Sequence, residues 1–309
     1  MNRRVAVAFL PFFLFVLSPA LCRAETDSAR VARLFVYASS GEVRHRDLVQ
    51  PGKDSLIAMG ETGARWLACK LNATDARERL TLAEIFEKIG PVAVPYLTPY
   101  LDSAGEYMPK NAARCLGGIK DSSATWPLLP HLAHENYSVR SEVATALGKI
   151  ADRRAARPLI DRLAGDTDSD VRKSCVVALG TIGDSGASVI LIESLGDPFF
   201  GVRQSAIEAI GKLNPPPCAG LVAAAESADS LSRYGAIVAL GYCPDILSRQ
   251  LLVNLVKDSD PMLRGFAIEA MSRDTTAAVR ETMAKLLESE QDPFVRAQIE
   301  RVIRTSHGQ

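Results

Sequence analysis

Metal binding and nucleophilic catalysis need clustered side chains, and this 309-residue chain offers few of them. It has four histidines: His45, His131, His134 and His307. His131 and His134 stand three apart near the end of a helical pattern, with Glu135 beside them, so they could share a metal. A closed site takes about four ligands, and no fourth lies within sequence reach, so no metal is expected. The spacings that mark a nucleophile elbow, a zinc-protease helix, a phosphate loop, a CxxC pair or a dinucleotide turn do not occur in the sequence. No catalytic residue and no cofactor are assigned, and the chain is expected not to be an enzyme. His45, between Arg44 and Arg46, is expected in a solvated loop.

The sequence does carry a repeating frame. In the stretch from Val171 to Asp197, Val171, Cys175, Ala178, Leu179 and Ile182 fall at the spacing of one apolar helical stripe. Gly183 stops that helix, Asp184 is a good N-cap for the next, and Ile190, Leu191 and Leu195 continue as a second apolar face. An arginine recurs at Arg140, Arg172, Arg203, Arg233, Arg264 and Arg296, in steps of 32, 31, 30, 31 and 32 residues. Eight residues after four of these sits a glycine: Gly148, Gly180, Gly211 and Gly241. Looser copies hold Arg79 with Ile89 and Lys110 with Ile119, and the earliest aligns Gly60 with Gly90, Trp66 with Tyr96 and Leu67 with Leu97. A fixed period of this size means an all-α superhelix of about eight helical pairs, because no single pair can bury its apolar face alone.

The pattern D-x-x-x-x-V-R-x-x-A-x-x-A-L-G-x-I-G-D resembles HEAT repeats, of the short kind found in phycobilisome lyase-like proteins, over about residues 54 to 304. The resemblance implies an α-solenoid with a ladder of acid and Arg side chains along the stack: Asp166 with Arg172, Asp197 with Arg203, Asp258 with Arg264 and Glu290 with Arg296, each acid six residues ahead of its Arg. His134 and Ser227 stand in the acid's place ahead of Arg140 and Arg233. These charges are read as structural, fixing register more than adding stability, since an exposed pair contributes only about 0.2–1 kcal/mol. Helical-repeat di-iron hydroxylases use paired His-Glu motifs in several repeats, and this chain has one, His134-Glu135. Bilin lyases act on a cytosolic pigment-binding protein, so the resemblance is taken to carry fold and not activity.

Residues 1–24 read as a cleavable signal peptide: two arginines, an apolar run from Val5 to Leu17 and a small-residue exit at Ala20 or Ala24. The run is shorter than the roughly 20 residues of a membrane span. The mature chain is expected to begin at Glu25 and to be periplasmic or secreted. Cys22 raises a lipoprotein alternative, for which Leu21 directly before it is poorly suited. Residues 25–53 read as an N-terminal helical cap, one amphipathic helix followed by a polar connection over 39–53 with Gly41, Pro51 and Gly52 as breakers. The array occupies 54–304, and 305–309 is a disordered tail. Over 25–309, 36 acids face 33 bases, mixed within every repeat. That excludes the basic stripe of a nucleic-acid binder, and no further apolar run suggests a membrane span in the mature chain.

By analogy with HEAT arrays, the Arg-bearing helix of each pair lines the concave side. Its positions after the Arg hold Ser141, Lys173, Gln204, Tyr234 and Gly265, then Glu142, Ser174, Ser205, Gly235 and Phe266. Aromatic side chains anchor interfaces, so Lys173, Gln204, Tyr234 and Phe266 form the candidate partner-binding groove, with inter-repeat packing the alternative for Phe266. A rival patch is Phe199 and Phe200, adjacent aromatics in a turn that cannot easily both be buried. Cys115 and Cys175 occupy places filled elsewhere by Ala146 and Ala206 and are expected to be buried thiols. Cys218 opens the first helix of a pair and Cys243 closes the second, so a disulfide between them is a candidate in an oxidising compartment. The functional expectation is an exported scaffold or adaptor binding a protein or peptide along the concave face. The alternative is a lyase-like enzyme or enzyme subunit handling a small ligand in the groove.

Overall fold

The computed structural model describes residues 19–274 and 277–305. Residues 1–18 of the expected signal peptide and 306–309 of the expected tail lie outside them. The described chain opens with α1 (Pro19–Ala38) and α2 (Arg46–Ala58), and eight helical hairpins follow. The first four pair α3 (Gly60–Leu67) with α4 (Ala76–Ile89), α5 (Val94–Leu97) with α6 (Tyr107–Ile119), α7 (Thr125–Leu128) with α8 (Tyr137–Ile150), and α9 (Ala156–Gly165) with α10 (Ser169–Ile182). The second four pair α11 (Ser188–Glu193) with α12 (Phe200–Ile210), α13 (Cys218–Ala224) with α14 (Ser230–Ala239), α15 (Ile246–Leu255) with α16 (Pro261–Met271), and α17 (Ala277–Ser289) with α18 (Pro293–Thr305). The architecture is an all-α solenoid with odd-numbered helices in one layer and even-numbered ones in the other.

The apolar stripe of the 171–182 segment forms core: Val171, Cys175, Ala178 and Leu179 are at most 1% exposed. Gly183 ends α10 with φ at 69°, the left-handed C-cap that favours glycine, and the Asp184 carboxylate accepts the Gly186 amide at 2.7 Å. Prolines shape the outer layer. Pro95 and Pro99, and likewise Pro127 and Pro130, leave α5 and α7 as single turns of α-helix continued by 3-10 turns at Thr98–Asp102 and Leu129–Ala133.

The glycines eight residues after Arg140 and Arg172 mark where inner helices touch. A Cβ on Gly148 would lie 2.7 Å from Cα of Ala178, and one on Gly180 would lie 2.7 Å from Cα of Ala209. From α6 to α12 the even helices therefore stack backbone to side chain, more closely than the odd helices do. By analogy with HEAT arrays, the even helices are taken as the concave face. The stack loosens between α12 and α14. There Gly211 meets the Tyr242 ring instead of a small side chain, and three prolines, Pro215 to Pro217, occupy the connection.

One expectation needs correction. The polar connection over 39–53 is helical from Arg46 onward, so the expected boundary at residue 54 falls inside α2. Pro51 removes one backbone bond there, but Gly52 is buried against α1, where a Cβ would lie 3.2 Å from the Leu34 carbonyl oxygen and the Ala38 nitrogen. Close contact between the two helices outweighs both breakers. The pair packs Val31, Phe35 and Leu56 into the core and covers the first hairpin.

Candidate partner-binding site

The arginine ladder frames the concave face, and its pairing differs from the expected one. Arg172 gives Nε and Nη2 to the Asp197 carboxylate at 2.7 and 3.0 Å, while Nη1 turns back to the carbonyls of Asp166 and Thr167 at 3.1 and 3.0 Å. Arg140 holds Asp166 in the same way at 2.8 and 3.0 Å, and Arg264 holds Glu290 at 2.8 and 2.9 Å. Each acid thus gives its backbone carbonyl to the Arg six residues on and its carboxylate to the Arg of the preceding repeat. The planar guanidinium fork explains this: one edge satisfies the turn it belongs to, and the other faces the neighbouring repeat. Burial alone would raise the Asp166 carboxyl, but hydrogen bonds from Arg140 and the Asp168 amide, with Arg162 nearby, hold it below the usual carboxylate range.

The ladder pauses for two rungs where the stack loosens. Arg203 is tied by Nη1 to the carbonyls of Asp197 and Pro198 at 2.7 and 3.1 Å, but Ser227 stands where the next acid belongs. Its guanidinium lies over the Phe200 ring at 5.7 Å. Arg233 lies over Tyr234 at 5.7 Å, and its Nε is buried with no hydrogen-bond partner among the described residues. Asp258, the acid of that rung, accepts the Asp260 amide at 2.8 Å. Arg296 closes the series on the Glu290 and Leu287 carbonyls at 2.8 and 2.9 Å.

Beside this gap the concave face opens into a hollow of about 260 Å³. Tyr234 and Phe266 stack in its wall with ring centroids 4.9 Å apart and planes at 28°. Phe200, Gln204 and Leu231 complete the rim, Phe200 being 70% exposed, with Arg203 and Glu269 as its charged members. The two surfaces weighed in the sequence therefore merge, since Phe200 joins Gln204, Tyr234 and Phe266. The sequence held a signal for this: Phe200 and Gln204 are i, i+4 on α12, and Leu231 and Tyr234 are i, i+3 on α14. Phe199 stays on the turn, 52% exposed, under the Arg172 guanidinium at 5.4 Å. Lys173 falls elsewhere, in a polar hollow of about 510 Å³ that it lines with Arg114, Ser141, Glu142 and Ser174.

The histidines do not converge. His131 Nε2 faces Asp102 at 3.6 Å, while His134 Nδ1 accepts the Asn136 amide at 3.0 Å. Burial lowers the pKa of His131, with Asp102 opposing it. His45 Nδ1 lies 2.9 Å from the Ser40 hydroxyl, its ring edge-on to Tyr37. Cys218 and Cys243 are disulfide-bonded, with Cα atoms 5.7 Å apart. They form, with Asp245, the group among the described residues whose ligand atoms lie close enough to share a metal, but the two sulfurs are joined to each other. Cys115 and Cys175 are buried, and burial pushes both thiols up to about 12. No helix among the described residues is long and apolar enough to cross a membrane.

A family model described as HEAT repeats matches residues 94–180, 126–211, 157–241 and 218–304. No curated protein matches the chain. Among solved structures, the E. coli protein YibA is 17% identical with a TM-score of 0.50, the match covering 82% of this chain and 96% of that one. The complex of CpcE and CpcF of phycocyanin lyase from Nostoc sp. PCC7120 is 20% identical with a TM-score of 0.42, covering 79% and 94%. Human deoxyhypusine hydroxylase is 18% identical with a TM-score of 0.36, covering 82% and 98%. These last two correct the expectation that the chain is not an enzyme: proteins named as a lyase and a hydroxylase are built on such arrays, so the repeat architecture gives no ground for excluding catalysis. At these identities the likeness reaches the fold alone, and neither activity is carried over. With the family model matched from residue 94 to residue 304, the chain belongs to the HEAT-repeat family.

Proposed function

We propose that the chain is an exported HEAT-repeat scaffold or adaptor that binds a protein or peptide partner along its concave face, anchored in the hollow around Tyr234. The observation that carries this reading is the stacked Tyr234–Phe266 pair, which with the exposed Phe200 lines an apolar hollow on the inner layer. Aromatic side chains at such an opening, here the half-buried Tyr234 and Phe266 beside the exposed Phe200, are favoured anchors for partners. Affinity capture with residues 25–309 from an envelope extract tests it. One stoichiometric polypeptide retained by the wild type and lost with Tyr234→Ala is expected; equal recovery by both proteins contradicts the reading. Export is tested separately by fractionation and N-terminal sequencing, with Glu25 expected as the first residue.

The polar hollow supports a second reading, a lyase-like enzyme or enzyme subunit handling a small ligand. Its Lys173, Arg114 and Glu142 side chains converge on about 510 Å³. Native mass spectrometry of the purified chain distinguishes the two, since a small molecule retained with no polypeptide favours the second.

A further inference from the structure

Three arginines of the inner layer, Arg140, Arg172 and Arg264, show what their outward edge accepts: a carboxylate, held by Nε and Nη2 together. Arg203 is posed as they are, because its Nη1 makes the same two bonds to backbone carbonyls. No carboxylate among the described residues is bonded to its outward edge. The position that should supply one is identifiable by its second task. In the filled rungs the acid also accepts the amide two residues on, as Asp166 does from Asp168 and Glu290 does from Asp292, and here the Ser227 hydroxyl accepts the Asp229 amide at 3.2 Å. Ser227 therefore keeps the turn and omits the charge. Asp229 does not pair with Arg203: its carboxylate caps α14 through the amide and hydroxyl of Ser232 at 2.8 and 2.7 Å, and these bonds, with the Arg203 charge nearby, hold that carboxyl below the usual range.

Arg203 also lines the apolar hollow with Phe200, Tyr234 and Phe266. We infer that the ligand completes the rung: a peptide whose Asp or Glu side chain takes Nε and Nη2 of Arg203 while a neighbouring large apolar side chain fills the hollow. This rests on the concave-face reading above and gives its partner a chemistry. A carboxylate matches the fork as a planar, two-oxygen acceptor, and Glu269 on the same wall disfavours a multiply charged anion such as phosphate. Because backbone bonds fix the guanidinium beforehand, little is lost in ordering it on binding.

The test is a peptide-display selection against residues 25–309, followed by titration of the enriched peptide. Enriched sequences are expected to share an Asp or Glu within two residues of Phe, Leu or Trp. Changing that acid to its amide should weaken binding about tenfold or more. Ser227→Asp supplies the missing carboxylate from the chain itself and should weaken the peptide comparably without lowering the melting temperature, whereas Ser227→Asn should bind as the wild type does. Peptides that need Tyr234 but carry no acid, or that bind Ser227→Asp undiminished, overturn the completed rung and leave concave-face binding standing. A selection that enriches nothing dependent on Tyr234 overturns both. Should Ser227→Asp fail to fold, the acid-to-amide peptide pair on the wild type decides the matter alone.

Discussion

Arg172 and Asp197, 25 residues apart, join two repeats through a single guanidinium: Nε and Nη2 reach forward to the carboxylate while Nη1 stays with the carbonyls of its own turn. Their side chains are only 12% and 9% exposed. Removing one member of so enclosed a pair leaves the other charge without its partner, a loss of about 3 kcal/mol. Arg172→Ala should therefore lower the denaturant midpoint clearly, and the double variant with Asp197→Ala should cost less than the two single changes added together. Additivity in that cycle would show that the rung carries no coupling.

Glycine in the inner helices is set by neighbours. Gly148→Ala would press a methyl to 2.7 Å from Cα of Ala178, and overpacking of that order costs about 1–3 kcal/mol, more than alanine's helix preference returns. Gly165, at the end of α9, has open space around it. Gly165→Ala should be neutral or stabilising by up to about 1 kcal/mol. Thermal melts of the two variants are expected to move apart, and a Gly148→Ala protein as stable as the wild type would contradict the close stacking.

Acid should loosen the array at identifiable carboxylates. Hydrogen bonds from Arg154, with the Thr125 hydroxyl of the preceding hairpin adding to them, hold the Asp152 carboxyl at about 2. A carboxyl held low in the folded chain stabilises it at neutral pH, and that contribution disappears as pH falls through the folded value. Stability should drop between about pH 4, the ordinary range of an aspartate, and about pH 2. Asp152→Asn should flatten that limb of a melting-temperature profile; an unchanged slope would mean that Asp152 does not contribute.

Thiol chemistry reports on burial. Cys69 is exposed, Cys115 and Cys175 are buried with thiols near 12, and Cys218 and Cys243 are joined. Non-reducing alkylation of residues 25–309 should label one cysteine in the native protein, three after denaturation and five after denaturation with reduction. Three labels in the native state would contradict the buried placement, and five without reductant would contradict the disulfide.

Period and stripe made the architecture legible, because inner-helix positions such as Val171, Leu179 and Gly180 have one packing role in every repeat. The pairing of the ladder was not legible. An acid six residues ahead of an Arg looks like its partner in sequence, and only the direction of the guanidinium fork shows that the carboxylate belongs to the Arg of the repeat before. Helix α2 was hidden for a related reason, since Pro51 and Gly52 read as breakers until α1 lies against Gly52. At the candidate site, Tyr234 and Phe266 stood out as aromatics in small, polar rows. Their union with Phe200 depends on the loosened step between α12 and α14. Pro215 to Pro217 mark that interruption in the sequence, but which side chains it brings together shows only in the fold. Lys173, on α10, lines a different hollow.

Photo-crosslinking tests the central claim most directly. A photoreactive residue placed at Gln204, on the rim of the hollow, is compared with one at Val189, 68% exposed on α11 of the outer layer. Irradiation in the native envelope should give one discrete polypeptide adduct from position 204 and none from position 189. Adducts from 189 alone, or equally from both positions, would contradict partner binding on the concave face.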